Sequence, residues 1–421
     1  STLRNAWKVP ELRKRFLWTI FLVAIFRIGI HIPVPGIDTS ALSTLTESGG
    51  LLSFYNLISG GAFTKASILA LSVSPYINAS IIMQLLTIAI PSLEQLSKEG
   101  EEGRKKIQSI TRYVSIGIAC VLALGVYSTI ANLGATSGVG TLEKIVIIFS
   151  LVVGSTFCMW LGDQITQKGF GNGVSILIFV NIVSQIPSTV NSVYTLKTAG
   201  EISIIEILLF LVGVIALLAV TIFFSLAERR VPIQYAGKAV GSKVMKGQST
   251  HIPLSIIGSA VIAIIFAMSV MMFPTTIAAF FPSKGWASWI TSSKYSIFNT
   301  GTWMYPVCYA VLTVFFTWFY TQITFKPDEM AENLHKSAGF VPGIRPGEAT
   351  EKYFEKLLTK VSIIGGLFAA FLAVTPILVG NYISGVQFGG TSLLILIGVG
   401  LDFSRQLDSQ LVMRHYDGFL K

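Results

Sequence analysis

The sequence predicts an all-α integral membrane protein with ten transmembrane helices. Apolar residues make up 52% of the 421 residues and charged residues only 12%, and the mean hydropathy is +0.68. A soluble domain carries about 25% charged residues. The charged residues of this chain are too few to cover the surface of a globule of this size, so lipid is its natural solvent. Backbone groups in lipid must hydrogen-bond within their own segment, and the alternation typical of a β-barrel is absent, so the spans are predicted to be helical.

Ten mostly apolar windows are long enough to cross a bilayer, which takes roughly 20 residues of helix. They are residues 16–33, 67–90, 111–131, 145–161, 173–187, 204–226, 253–273, 303–324, 361–380 and 391–407. A separate apolar stretch, residues 51–63, precedes the second window. Transport proteins often consist of two inverted halves. We therefore expect two pseudo-symmetric halves of five spans, residues 1–187 and 204–421, joined by a hinge loop at 188–203.

Lysine and arginine residues predict the orientation, because cytoplasmic loops carry an excess of both. Of the 31 Lys and Arg residues, 25 lie in the termini and in the loops on the same side, and five lie in the opposite loops. This asymmetry predicts that both termini are cytoplasmic. The basic residues are spread over several short loops, so they indicate topology and not specific DNA binding. Arg27 is the one charge well inside a span, where it must snorkel or pair with a neighbouring helix.

Two long polar loops face the cytoplasm in this topology, residues 227–252 and 325–360. The second contains the run VPGIRPG at 341–347. Proline fixes φ and glycine admits positive φ, so we expect Arg345 to lie on a defined turn. The N-terminal segment combines Trp7 with several basic residues, a mixture that suits the anionic surface of membrane lipids.

The chain lacks the residue groupings of an enzyme. Its four histidines fall at span ends or in loops, and neither a His-Glu-x-x-His zinc motif nor a phosphate-binding glycine loop is present. The three cysteines lie inside apolar spans without metal-ligand spacing, which indicates packing. We expect no catalysis, bound metal or cofactor. A secondary transporter for small solutes remains the alternative, although such proteins usually place carboxylates at mid-membrane; an intramembrane hydrolase is more distant.

Eight stretches, in order along the chain, resemble the SecY family, the channel subunits of the bacterial Sec protein translocase. They are IPVPGI at 32–37, SPYINASII at 74–82, KEGE at 98–101, GDQIT at 162–166, GFGNGVS at 169–175, QSTHIPL at 248–254, FVPGIRPG at 340–347 and FGGTSLL at 388–394. The resemblance covers nearly the whole chain.

The resemblance implies a passive, gated channel without a cofactor. Such a channel passes secretory polypeptides across the bacterial plasma membrane and releases transmembrane segments laterally into lipid. The energy comes from the SecA ATPase or from the ribosome. The further partners it implies are the SecE and SecG subunits, signal peptides, unfolded secretory or membrane proteins, and membrane lipids.

The same resemblance assigns four groups of site residues. The pore ring, a constriction of aliphatic side chains, comprises Val73, Ile77, Ile81, Ile178, Ile265 and Ile395. The plug, a short re-entrant helix, comprises Phe54, Tyr55, Asn56, Leu57, Ile58, Gly60 and Gly61. The lateral gate between the halves comprises Asn78, Gln84, Ser269 and Phe273. The docking surface for SecA or the ribosome comprises Arg229, Arg230, Lys238, Lys243, Lys246 and Arg345. A ring of bulky apolar side chains disfavours a column of water, and the plug glycines offer a hinge.

Overall fold

The computed structural model describes residues 7, 9–37, 59–132, 140–198, 200, 203–235, 239–240, 243–244, 249–255, 260–280, 284–299, 302–382, 395–404 and 406–407. The helices are α1 (Pro10–Gly29), α2 (Ser74–Ala89), α3 (Pro91–Lys98), α4 (Glu101–Asn132), α5 (Thr141–Lys168), α6 (Gly173–Thr198), α7 (Ile204–Leu226), α8 (Ala260–Phe280), α9 (Gly285–Ser292), α10 (Met304–Phe325), α11 (Pro327–Lys336), α12 (Glu348–Tyr382) and α13 (Ile395–Ser404). The strands are β1 (Glu228–Tyr235), β2 (Ala239–Val240), β3 (Lys243–Val244), β4 (Ser249–Ser255) and β5 (Gly339–Phe340).

The described residues form two compact units. The first draws on Ser1–Thr198, Met272–Thr300 and Gly398–Lys421, and the second on Ala199–Met271 and Gly301–Ile397. In the first unit, α2 packs against α4, α4 against α5, and α5 against both α1 and α6. In the second unit, α10 lies along α12, and α11 also contacts α12. The two functional halves expected from the sequence stay a prediction.

The membrane-length helices agree with the predicted class. In the described part of the chain, six are long and apolar enough to cross a membrane: Glu101–Ser128, Thr141–Lys168, Gly173–Thr195, Ile204–Leu226, Met304–Lys336 and Glu348–Thr375. Counting α2 and α3 as one bent span gives seven, and α8 and α13 contain shorter apolar helices. Each of the ten predicted windows overlaps a helix, but length and composition do not establish the number of ten spans.

The second predicted window begins too early. Ser67 forms an isolated bridge with Pro33, residues 68–73 form turns, and α2 starts only at Ser74. Ser72 has a left-handed backbone with φ 49°, which a right-handed helix cannot include. The turns are paired with the chain that follows α1, where the Val34 amide donates to the Ala66 carbonyl over 2.8 Å. Long-range backbone pairing therefore overrides the apolar character of this stretch.

Proline sets the break between α2 and α3. The residue before a proline is driven to extended backbone, and Ile90 has φ −111° and ψ 113°. Pro91 then opens α3, where its missing N–H removes no helical bond. The chain turns by 101° at this point.

The helix α6 is longer than the window 173–187. It continues through Pro187 to Thr198, so most of the segment 188–203, which we expected to be a loop, is helical. Neighbouring helices and hydroxyl groups can satisfy the backbone group that a proline leaves free in a membrane helix. The residues after Pro187 are largely polar, so the hydropathy signal ends before the helix does.

The two long polar loops are joined in one sheet, which the sequence analysis did not predict. β1 pairs antiparallel with β4 and with β5, giving the order β4-β1-β5. Side chains alternate along β1, with Val231 and Ile233 buried between exposed neighbours. We call β1, β4, β5, α11 and the first turns of α12 the sheet module. Its buried core comprises Val231, Ile233, Leu254, Leu334, Val341, Phe354 and Leu358.

Candidate functional site

Three predicted pore-ring residues follow one face of α2. Val73 directly precedes the helix and is fully buried, and Ile77 and Ile81 follow at four-residue intervals, half-buried. Residues four apart lie one above the other on a helix. The Ile77 amide donates to the Val73 carbonyl over 3.1 Å, which ties Val73 to the first turn. The result is an aliphatic stripe along α2.

The other three ring residues lie on different helices. Ile178 on α6 is buried in the first unit. Ile265 on α8 is half-buried and Ile395, the first residue of α13, is buried, both in the second unit. Each side chain is apolar and at least partly shielded, as a ring of this kind requires. The closure of all six into one constriction stays a prediction.

The lateral-gate candidates differ in exposure. On α2, Asn78 is half-buried and Gln84 is exposed. They are six positions apart, so they point about 120° apart around the helix. Ser269 and Phe273 are four residues apart on α8, with Ser269 half-buried and the Phe273 ring 65% exposed. These four positions do not form one face of one helix, and their assignment stays a prediction.

The end of the predicted plug is held by an intramembrane charge. Phe54, Tyr55, Asn56, Leu57 and Ile58 lie outside the described residues. Gly60 and Gly61 are described, both with left-handed backbone at φ 66° and 85°. Arg27 donates from Nη1 to the Gly60 carbonyl over 3.5 Å and to the Ser184 hydroxyl over 3.0 Å. Pairing with a neighbouring helix, and not only snorkelling, therefore accommodates Arg27.

Sequence reasoning missed the polar residues on α6 that face this segment. Asn181 is fully buried, and Ser184 and Gln185 are half-buried. Positions three and four residues apart share a helix face, so the spacing of these residues defines a polar stripe inside an apolar span. That stripe was the available signal, because polar side chains inside a membrane helix usually face protein.

Two of the predicted docking residues lie on β1 of the sheet module. Arg229 and Arg230 are exposed on β1, and the Arg230 Nε atom lies 2.9 Å from a Glu228 carboxylate oxygen. Lys243 opens β3. Lys238 and Lys246 lie outside the described residues.

Arg345 lies exposed on a tight turn, as the sequence predicted. Gly343 and Gly347 have positive φ, and the Ile344 amide donates to the Val341 carbonyl over 3.1 Å. The Thr350 hydroxyl donates to the Arg345 carbonyl over 2.8 Å. The turn follows β5, which pairs with β1, so the sheet module carries basic side chains from both predicted loops.

The described residues contain no group of three or more His, Cys, Asp or Glu side chains placed to hold a metal ion. Membrane-length helices, an aliphatic stripe on α2 and an exposed basic module define a multi-pass membrane protein. The comparisons with known proteins identify the kind.

The chain belongs to the SecY family, whose model matches residues 67–404. The protein translocase subunits SecY of Rickettsia typhi and Escherichia coli are each 40% identical to it, over 420 and 419 residues. The first alignment covers 98% of this chain and 96% of the relative, and the second 98% and 94%.

Solved channel structures share the fold. One described as a protein conducting channel matches with a TM-score of 0.67 at 17% identity, covering 97% of both chains. Sec61 in a canine ribosome–channel complex from the endoplasmic reticulum matches with a TM-score of 0.62 at 17% identity, again over 97% of both. The predicted fold class and family are therefore confirmed, and the protein is a multi-pass membrane channel. Nothing in these comparisons supports the small-solute transporter.

Proposed function

We propose that this chain is the channel subunit that passes secretory polypeptides across the bacterial plasma membrane and releases transmembrane segments laterally into lipid. The observation that carries the proposal is 40% identity, over 98% of this chain, to protein translocase subunits SecY. Similarity of this extent supports the same overall task for this chain. The residues of the chain suggest how the task is performed.

The pore ring would act as a seal of aliphatic side chains. The stripe of Val73, Ile77 and Ile81 on α2 supports this role, because large apolar groups around a narrow neck disfavour water. Aliphatic contacts are also non-directional, so such a ring can fit almost any passing side chain. Ile178, Ile265 and Ile395 would complete it.

The lateral gate would open by partition of an apolar signal sequence between α2 and α8 toward lipid. Burial of apolar surface contributes roughly 25 cal/mol per Å². Interhelical hydrogen bonds of Asn or Gln contribute only about 0.6 to 2 kcal/mol each in membranes. Polar residues such as Asn78 and Gln84 can therefore keep a gate shut that a signal helix still opens.

The sheet module would dock the motor. Its basic residues, Arg229, Arg230 and Arg345, are exposed on elements that share one buried core, and such a rigid base suits a docking site. We propose that the chain itself performs no covalent catalysis and holds no cofactor. Energy would come from SecA or from ribosomal elongation, within a complex that includes SecE, SecG and membrane lipids.

Reconstitution tests the function directly. The chain is co-reconstituted with SecE and SecG in liposomes, and SecA, ATP and a secretory precursor are added. The measured quantity is precursor protected from external protease, with a signal-deleted precursor as the control. Protection that needs both ATP and the signal supports the channel. Absence of protection, while the same SecA is active on a known channel, would refute it.

A further inference from the structure

The end of the predicted plug meets polar side chains from two helices. Arg27 on α1 donates to the Gly60 carbonyl and to the Ser184 hydroxyl on α6. The Ser184 hydroxyl donates onward to the Asn181 carbonyl over 2.7 Å. Arg27 makes no ion pair within the part of the chain that the structure describes. Neutral oxygens therefore hold its charge.

A side chain on Gly60 would displace its neighbours, and the space around Gly61 is tight. A Cβ atom on Gly60 would lie 2.5 Å from Asn181 Oδ1 and 2.9 Å from Arg27 Nη1. A Cβ atom on Gly61 would lie 3.2 Å from Gln185 Nε2. Both glycines also have the left-handed backbone that side chains disfavour. The pair is thus enclosed by Arg27, which bonds Gly60, and by the side-chain amides of Asn181 and Gln185.

Asn181 also contacts the far end of the turns that follow. Its Nδ2 atom donates to the Ser72 hydroxyl over 3.4 Å, and the Ser155 hydroxyl donates to the Ser72 carbonyl over 3.1 Å. Asn181 is fully buried, so these contacts are shielded from solvent. One side chain of α6 therefore touches both Gly60 and Ser72, the two ends of the segment between the plug and α2.

Arg27 favours the arrangement in which the Gly60 carbonyl lies against it. A guanidinium group away from water needs acceptors, and each one lost is penalised. If the Gly60 carbonyl moves away, Arg27 keeps the Ser184 hydroxyl but loses its backbone acceptor. The arrangement in which Gly60 stays against α1 and α6 is therefore the favoured one.

We propose that Arg27, Asn181, Ser184 and Gln185 form a polar latch that positions the Gly60–Gly61 hinge and sets how readily the plug leaves the channel. The proposal rests on the proposed function, in which residues 51–61 act as the plug. The four latch residues are positioning residues, which act on the plug.

The test compares three variants of the full chain, each co-reconstituted with SecE and SecG. Ser184→Ala removes the hydroxyl between Arg27 and α6, and Ser184→Thr keeps a hydroxyl there. Thr189→Val is the matched control, because the Thr189 hydroxyl bonds the Gln185 carbonyl of its own helix. The measured quantity is efflux of entrapped potassium ions without SecA or precursor. A seal that opens more often leaks more, whereas a defect in stability alone lowers the amount of assembled complex.

The same Arg27 Nη1 atom bonds Ser184 and Gly60, so without the Ser184 hydroxyl it is no longer held against the Gly60 carbonyl. We therefore expect Ser184→Ala to raise the efflux per assembled complex about fivefold, which corresponds to about 1 kcal/mol at 1.4 kcal/mol per tenfold. Ser184→Thr and Thr189→Val should stay within about twofold of the unmodified chain on the same scale. If Ser184→Ala does not leak more than Thr189→Val, or if Ser184→Thr leaks as much as Ser184→Ala, the latch is refuted.

Protease protection of a signal-bearing precursor in vesicles with the unmodified chain is measured in parallel. Protection together with unchanged efflux refutes the latch alone, whereas loss of protection refutes the proposed function.

Discussion

Replacing Gly60 by alanine should open the resting channel, and the structure gives the magnitude. Alanine at φ 66° carries a penalty of about 1 kcal/mol or more. Its Cβ atom would also displace Asn181 or Arg27, and the loss of one hydrogen bond adds about 1 kcal/mol. Both effects act only while the hinge is seated. A total of about 2 kcal/mol lowers the ratio of closed to open channels about 30-fold.

Alanine substitutions of two further glycines distinguish the effect of the side-chain contact from the effect of backbone strain. Gly61→Ala meets only the end of the flexible Gln185 side chain at 3.2 Å, so strain at φ 85° should dominate and raise the leak about tenfold. Gly100→Ala has φ 80° with no atom within 4 Å, and it lies between α3 and α4. It introduces similar strain away from the hinge and should leave the leak unchanged.

The assay is ion conductance of the reconstituted complex in a planar bilayer, without SecA or precursor, normalised to the amount of assembled complex. The expected order of leak is Gly60→Ala, then Gly61→Ala, then Gly100→Ala at the unmodified level. An equal leak from all three would mean that general destabilisation opens the channel. An unchanged Gly60→Ala channel would mean that the seated hinge does not hold the seal.

Three further predictions concern other parts of the chain. Arg345→Glu should lower SecA-driven precursor protection about tenfold, as expected for a lost interfacial charge pair of about 1.4 kcal/mol or more, while insertion of the chain into membranes, measured by fractionation, stays normal. Asn78→Leu or Gln84→Leu should change how apolar a signal must be, measured with a series of signal peptides, and an unchanged threshold for both would contradict the gate assignment. Gly366→Leu should lower the free energy of unfolding by about 1–3 kcal/mol, because a Cβ atom there would lie 3.1 Å from the facing Val314 Cα atom. Gly213→Leu should leave the free energy of unfolding unchanged, because no atom lies within 4 Å of that position. Thermal unfolding in detergent measures both variants.

Features that depend on local composition could be predicted from the sequence. Each apolar window overlaps a helix, because a long apolar run leaves the backbone no other partner in lipid. The turn that presents Arg345 followed from the Pro and Gly residues around it, which restrict the backbone wherever they occur. Both signals determine the backbone conformation only within a few residues of their own positions.

Features that depend on partners far along the chain could not be predicted from the sequence. The turns at 68–73 are set by pairing with the chain after α1, and the apolar residues there gave no sign of it. The sheet module joins β1 to β5, which is more than 100 residues away in sequence. Arg27 was recognised as an intramembrane charge, but its acceptors, Gly60 and Ser184, lie on segments that only the fold brings together.

Because the groups that bond Arg27 are neutral, the free energy that holds Gly60 in place does not exceed the free energy that a signal helix gains on insertion. Only the hydrogen bond from Arg27 to the Gly60 carbonyl is lost when the hinge leaves. A hydrogen bond to a charged group contributes about 1.5–3 kcal/mol, which keeps roughly one channel in ten to one in a hundred open. About ten Leu-like residues of a signal helix, each contributing about 0.3–0.6 kcal/mol on insertion, supply about 3–6 kcal/mol.

A carboxylate partner for Arg27 would change this balance, because breaking a buried ion pair costs about 3–5 kcal/mol on its own. A latch of serine, amide and backbone oxygens holds the hinge firmly enough to seal the membrane at rest. It also holds weakly enough that the apolar content of one helix decides whether the channel opens.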